Sequence, residues 1–201
     1  MTASLTSSSR RPAEPVSRDH RALERAGLRP LAPVPLPRAP VRLVAPEGQL
    51  QVHTAPYRGS FSNVFSQAMR AAGLGSRVLI AQFLKGGVHQ GAEGCVRLCG
   101  GLSWLRPDVA ACLSEPGDAQ SCAAVDAVWQ TCRHQLIHGD LDQLVLDEVG
   151  LAVALGFLED EELVACLEQR SDSMDVIITG PAISPAVMAM ADQVTELRRG
   201  F

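Results

Sequence analysis

Leu144-Val145-Leu146-Asp147-Glu148 is an apolar run that stops on two adjacent carboxylates. Apolar residues in direct succession leave no polar face, so a strand built from them is buried on both sides. Two further stretches read the same way. They are Arg77-Val78-Leu79-Ile80-Ala81-Gln82-Phe83 and Val176-Ile177-Ile178-Thr179-Gly180, the second ending on a glycine. A shorter run, Leu50-Gln51-Val52-His53, precedes them, and residues 193–197 supply a last strand. Helical spacing occupies residues 62–72, closed by Gly73 as a C-cap, then 118–138, 149–158, 160–169 and 185–191. Residues 88–116 are only weakly patterned. Continuous apolar strands alternating with helices specify an α/β domain, a parallel sheet with helices on both faces. Ligands of such sheets sit beyond the carboxyl ends of the strands. Here those ends are residues 54–62, 85–87, 147–148 and 179–180.

Composition divides the 201 residues in two. Residues 1–46 hold eight of the thirteen prolines and eight Arg against three acids, a net +5. Such a segment cannot build a core, so a disordered Pro/Arg-rich arm is expected there, with room for a short helix near residues 17–26. Its opening, rich in Ser, Thr and Arg and free of acids, has the composition of a transit peptide and equally of a plain tail. The arm is basic enough to meet an acidic protein partner or the chain's own body. Residues 47–201, the folded domain, carry ten basic residues against nineteen acids, a net −9, which argues against a nucleic-acid surface. No apolar run is long enough to span a bilayer, so no membrane is expected. The six cysteines form no C-x-x-C pair, and Cys95-x-x-x-Cys99 lacks a second ligand pair. His134 and His138 share a helix face without a glutamate of the HExxH kind. Reduced thiols in a cytoplasmic protein are the economical reading.

An apolar strand ending in acids has the form of a Walker B strand. A phosphate-binding protein of that kind carries G-x-x-x-x-G-K-[ST] after its first strand. The matching place here reads Ala55-Pro56-Tyr57-Arg58-Gly59-Ser60-Phe61-Ser62, and Lys85, the single lysine of the chain, lies elsewhere. The frame of a phosphate-binding enzyme is present and its main phosphate clamp is not.

Several segments together resemble the P-loop corrinoid adenosyltransferases. They are Met69-Arg70-Ala71-Ala72-Gly73; VLIAQFLKG at 78–86, where the family has Q-F-x-K-G; and Ala127-Val128-Trp129-Gln130 in the helix before the acidic strand. The acidic strand itself matches the family's V-V-L-D-E, residues 176–180 its V-I-I-T-G, and residues 191–197 its A-D-x-V-T/S-E-L. The resemblance covers about 145 residues, from Val52 to Leu197. It implies a P-loop NTPase-like fold, a homodimer, ATP with Mg²⁺, and a reduced corrinoid that receives the adenosyl group.

It also locates the departures. Against the family's G-N-G-K-G-K-T-T, two glycines become Ala55 and Tyr57, the clamp lysine becomes Ser60, and the metal-holding hydroxyl becomes Phe61. Pro56 removes an N–H donor, and Arg58 restores a cation in a different place. Pro181 stands where the family usually has arginine, and the family's C-terminal G-x-x-A-x-x-G-I-x-[FY] segment has no counterpart before Phe201. What the resemblance leaves as phosphate-binding residues is Arg58, Gly59, Ser60, Ser62, Lys85, Thr179 and Gly180. Glu148, with Asp147, stands at its Mg²⁺ position, and Trp104 at a corrinoid-facing one, although Leu102 replaces the family's phenylalanine. Without the resemblance, the carboxylates read as a solvated strand end, Trp104 as a core residue and Lys85 as a soluble strand terminus. The lost loop points to a non-catalytic descendant acting as a binding or regulatory module. The alternatives are an active ATP:corrinoid adenosyltransferase with an atypical phosphate loop, or a pocket remodelled for a nucleoside or small anion.

Overall fold

The computed structural model describes residues 47–59, 61–98, 100–115 and 118–198. The expected disordered arm, its short helix and Ser60 lie outside them. Among the described residues seven strands form one sheet: β1 (Leu50–Thr54), β2 (Val78–Gln82), β3 (Val96–Arg97), β4 (Leu102–Leu105), β5 (Gln143–Asp147), β6 (Asp175–Thr179) and β7 (Gln193–Glu196). Their order is β3-β4-β2-β5-β6-β1-β7, and every neighbouring pair is parallel except β3 with β4. The helices are α1 (Ser62–Gly73), α2 (Ala119–His138), α3 (Val149–Ala154), α4 (Asp160–Glu168) and α5 (Pro185–Met190). The mostly parallel α/β sheet expected from the apolar runs is what the chain forms.

Alternation along the strands assigns the two faces. Leu50, Val52, Leu79, Ala81, Leu144, Leu146, Val176 and Ile178 point to one core, which α2, α3, α4 and α5 cover. Val78, Ile80, Leu102, Val145 and Ile177 point to the other, which α1 covers with Val64, Ala68 and Ala72. Each fully buried Leu, Val or Ile stabilises the fold by roughly 1.5–3 kcal/mol over its exposed state. In α2 the buried residues Val125, Val128, Trp129, Cys132 and Leu136 recur at helical spacing. Asp118 caps that helix by accepting from the Ser121 N–H at 2.8 Å. Ser184 caps α5 in the same way ahead of Pro185.

Three expectations change. Helix α1 runs through Gly73, and the stop lies two residues later at Gly75 (φ 108°). There the Gly75 N–H donates to Ala72 O and the Ser76 N–H to Ala71 O, a Schellman closure. Helix α3 ends at Ala154, well short of residue 158, because Gly156 takes a φ of 75°. The weakly patterned stretch holds strands β3 and β4, so Trp104 is a strand residue.

Two loops beyond the sheet are held tightly together. The Leu113 N–H donates to Leu84 O and the Gly87 N–H to Val109 O. A Cβ on Gly86 would stand 2.2 Å from Ala111 O, a backbone atom that cannot step aside, whereas one on Gly73 meets nothing. Gly86→Ala should therefore lower stability by about 1–3 kcal/mol. Gly73→Ala should be neutral or raise it by about 0.5–1 kcal/mol. Urea midpoints of the two variants check the contrast.

Candidate functional site

Asp147 ends β5 and lies level with Gln82, Thr179 and His53 of the neighbouring strands. These side chains share the α1 face, where they form a polar row at the carboxyl edge. Gln82 Nε2 donates to Asp147 Oδ2 at 2.7 Å, and Thr179 Oγ1 donates to Oδ1 at 2.7 Å. On the far side Gln82 Oε1 accepts from Trp104 Nε1 at 3.0 Å and from Arg106 Nε at 2.8 Å. Asp147 is 3% exposed. Burial pushes its carboxyl above the ordinary aspartate value, opposed by the hydrogen bonds from Thr179 and Gln82. Burial likewise lowers the His53 imidazole.

Glu148 follows with left-handed backbone (φ 62°), which costs a non-glycine residue on the order of 1–2 kcal/mol. The turn is held from β6: the Glu148 N–H donates to Thr179 O at 2.7 Å. Gly180 approaches so closely that a Cβ there would lie 3.1 Å from Glu148 Cα. Its carboxylate is 1% exposed and meets the cations of the site. Arg58 Nε donates to Oε1 at 2.6 Å and Nη2 to Oε2 at 2.8 Å, a bidentate fork. The same guanidinium donates to Leu113 O at 2.8 Å and to Leu84 O at 3.3 Å. Lys85 Nζ stands 3.4 Å from Glu148 Oε1. Hydrogen bonding to Glu148 raises the Arg58 pKa further. The pair is therefore no solvated strand end; both carboxylates are buried and engaged.

In front of this cluster opens a cleft of about 430 Å³, lined by Arg58, Gly59, Phe65, Gln82, Lys85 and Asp147. Phe65 stacks on Trp104 at 5.9 Å, and the Arg106 guanidinium lies 5.7 Å from the Trp104 ring centre. The cleft thus has an aromatic wall, a polar floor and cations at one end. Trp104 is half-buried, neither a core residue nor fully exposed. Of the residues expected to act, the fold gathers Arg58, Gly59, Lys85, Asp147, Glu148, Thr179, Gly180 and Trp104 around this edge. Ser62 is exposed at the start of α1, its carbonyl accepting from Ser66 Oγ, and does not line the cleft. Phe61 is buried in the α1 core, and Tyr57 packs beside it with its ring 3.0 Å from a Cβ placed on Gly59. None of residues 55–59 has a positive φ. His134 and His138 lie edge to face at 5.6 Å on α2. Among the described residues no group of three or more His, Cys, Asp or Glu could hold a metal ion. Gln82, Arg106 and Phe65 were not expected. For Gln82 a signal existed, a polar residue ending an apolar strand.

Magnesium takes oxygen ligands at about 2.0–2.1 Å in a near-octahedral set. Both Glu148 oxygens already accept from Arg58, both Asp147 oxygens accept from neutral donors, and Phe61 is apolar and buried. The described donors do not fit that ion.

The mostly parallel sheet, with its cleft and buried carboxylates at the carboxyl edge, defines an α/β protein of the doubly covered class. Residues 46–200 match the family described as ATP:corrinoid adenosyltransferase BtuR/CobO/CobP. The corrinoid adenosyltransferase of Pseudomonas aeruginosa is 30% identical over 160 residues, covering 75% of this chain and 74% of that one. That of Escherichia coli K12 is 31% identical over 159 residues, with 75% and 76% covered. CobA of Salmonella typhimurium, also a corrinoid adenosyltransferase, is 32% identical over 163 residues, again with 75% and 76% covered. The chain belongs to the ATP:corrinoid adenosyltransferase family.

Two outcomes follow from this geometry. Arg58→Ala leaves the buried Glu148 with Lys85 as its remaining cation and should cost up to about 3–5 kcal/mol in urea unfolding. Because Asp147 has a raised native pKa, the native state binds more protons than the unfolded chain between 3.8 and that raised value. Its contribution to stability is present at the acid end of the window and lost as pH rises through it. Stability measured against pH should fall across that window in the wild type relative to Asp147→Asn, which lacks the ionisation.

Proposed function

We propose that this chain is a non-catalytic member of its family that keeps the fold as a binding or regulatory module. One observation carries the reading: Arg58, from the loop that holds phosphates in the family, is folded back onto Glu148 and four of its five N–H groups are used internally. A triphosphate entering the cleft would find Lys85, itself 3.4 Å from Glu148, as its main cation. Adenosyl transfer from ATP to a reduced corrinoid expels that triphosphate, and stabilising the developing charge needs preorganised cations. With the Arg58 fork turned inward, the cleft has lost the group that would do this.

The open cleft supports a second reading, an active ATP:corrinoid adenosyltransferase serving cobalamin biosynthesis. In it, the Phe65–Trp104 wall orients the reactants and Lys85 meets the phosphates, with proximity supplying most of the rate. The thiols at Cys95, Cys112, Cys132 and Cys166 are in no disulfide, which suits a cytoplasmic setting for either reading. No helix among the described residues is long and apolar enough to cross a membrane. The module would act as a homodimer, with the basic residues 1–46 as the contact for an acidic protein partner.

Thermal unfolding with and without millimolar Mg·ATP separates the two. A ligand at a hundredfold excess over Kd stabilises the native state by about 2.7 kcal/mol. The binding-module reading expects no change in midpoint. A rise that Glu148→Ala abolishes, together with adenosylcorrinoid formation, establishes the enzyme instead.

A further inference from the structure

The contacts of Glu148 show what balances its charge. Its carboxylate is almost wholly withdrawn from water, a state that needs a cation in contact. Two cations are present: Lys85 Nζ at 3.4 Å and, closer, the Arg58 guanidinium in the bidentate geometry that matches a carboxylate best. It is not a side chain swinging in solvent, because Leu113 O and Leu84 O hold its other edge. Three separate segments therefore fix it against the end of β5. The loop position that carries a hydroxyl for a metal in the family is Phe61, packed into the α1 core at 2% exposure. The adjoining carboxylate, Asp147, is satisfied on both oxygens by Gln82 and Thr179. Charge, geometry and ligand set agree.

We propose that Arg58 is a built-in counter-ion standing where a divalent cation would sit against Glu148, so that the cleft operates without a divalent metal. An anion entering the cleft then meets Lys85 Nζ and the remaining Arg58 N–H directly, with no metal-bound water between. The inference rests on the family reading of Glu148. It does not depend on whether the protein is catalytic.

Manganese binding to the full chain, followed by electron paramagnetic resonance of the free ion with nucleotide absent, tests it. Unfolding midpoints in EDTA and in excess Mn²⁺ are measured alongside. Wild type should bind no Mn²⁺ and show the same midpoint in both. Arg58→Ala should unfold earlier in EDTA, take up Mn²⁺ and recover part of the loss. Arg58→Ala combined with Glu148→Gln should lose the response to Mn²⁺. Mn²⁺ uptake by wild type that Glu148→Gln removes overturns the proposal, and so does a folded Arg58→Ala that takes up none. If Arg58→Ala does not accumulate as folded protein, wild type and Glu148→Gln carry the test alone. The absence of Mn²⁺ uptake by both supports the counter-ion, and uptake by wild type alone overturns it. Nucleotide is absent from every arm, so this result and the Mg·ATP result stand or fall separately.

Discussion

The Arg58 guanidinium reaches from the loop after β1 to the carboxylate that follows β5, and the carboxyl edge of the sheet is organised around that contact. Glu148 holds a left-handed backbone and is almost fully buried, two costs a surface glutamate would not meet. The bidentate pair, with Leu84 and Leu113 gripping the far side of the guanidinium, offsets them. The same four hydrogen bonds join the first loop to the segments after β2, β4 and β5. A partly buried pair of this kind is screened less by salt than a surface bridge, so the edge keeps its arrangement over a wider range of ionic strength.

The polar row beside it is of a different nature. Trp104 and Arg106 donate to Gln82, Gln82 and Thr179 donate to Asp147, and the chain of donors ends on a carboxylate with a raised pKa. Every polar atom named in that row has a partner, which is what permits buried polar groups at the end of the α1 core. The row also sets the floor of the cleft. Its orientation therefore follows from strand register rather than from any loop.

Strand content was legible because β2, β5 and β6 are continuous apolar runs, a pattern with few other uses in a chain of this size. The α2 boundaries were legible from Asp118 and the spacing of its buried residues. Strand β4 was not, because its four residues, Leu-Ser-Trp-Leu, are too short to show a period and sit between glycines and prolines. The end of α1 was displaced because Gly73 and Gly75 are both good stops and only tertiary packing chooses between them. At the site, motif order identified Arg58, Lys85, Asp147 and Glu148 as neighbours of one edge. That Arg58 would turn inward depends on the Leu84 and Leu113 carbonyls, backbone acceptors that no residue type announces. Phe65 and Arg106 escaped notice for a related reason: their roles arise from tertiary contact with the Trp104 ring.

Phe61 and Arg58 hold the same loop by two different means. Phe61 belongs to the hydrophobic layer under α1, and replacing such a residue with a small one costs roughly 3–5 kcal/mol. Withdrawing Arg58 from Glu148 is of the same order. Against a total stability of about 5–15 kcal/mol, either loss alone removes a large fraction of what holds the fold. The loop after β1 is thus anchored twice, once by apolar packing and once by charge, and loosening one anchor leaves the other in place.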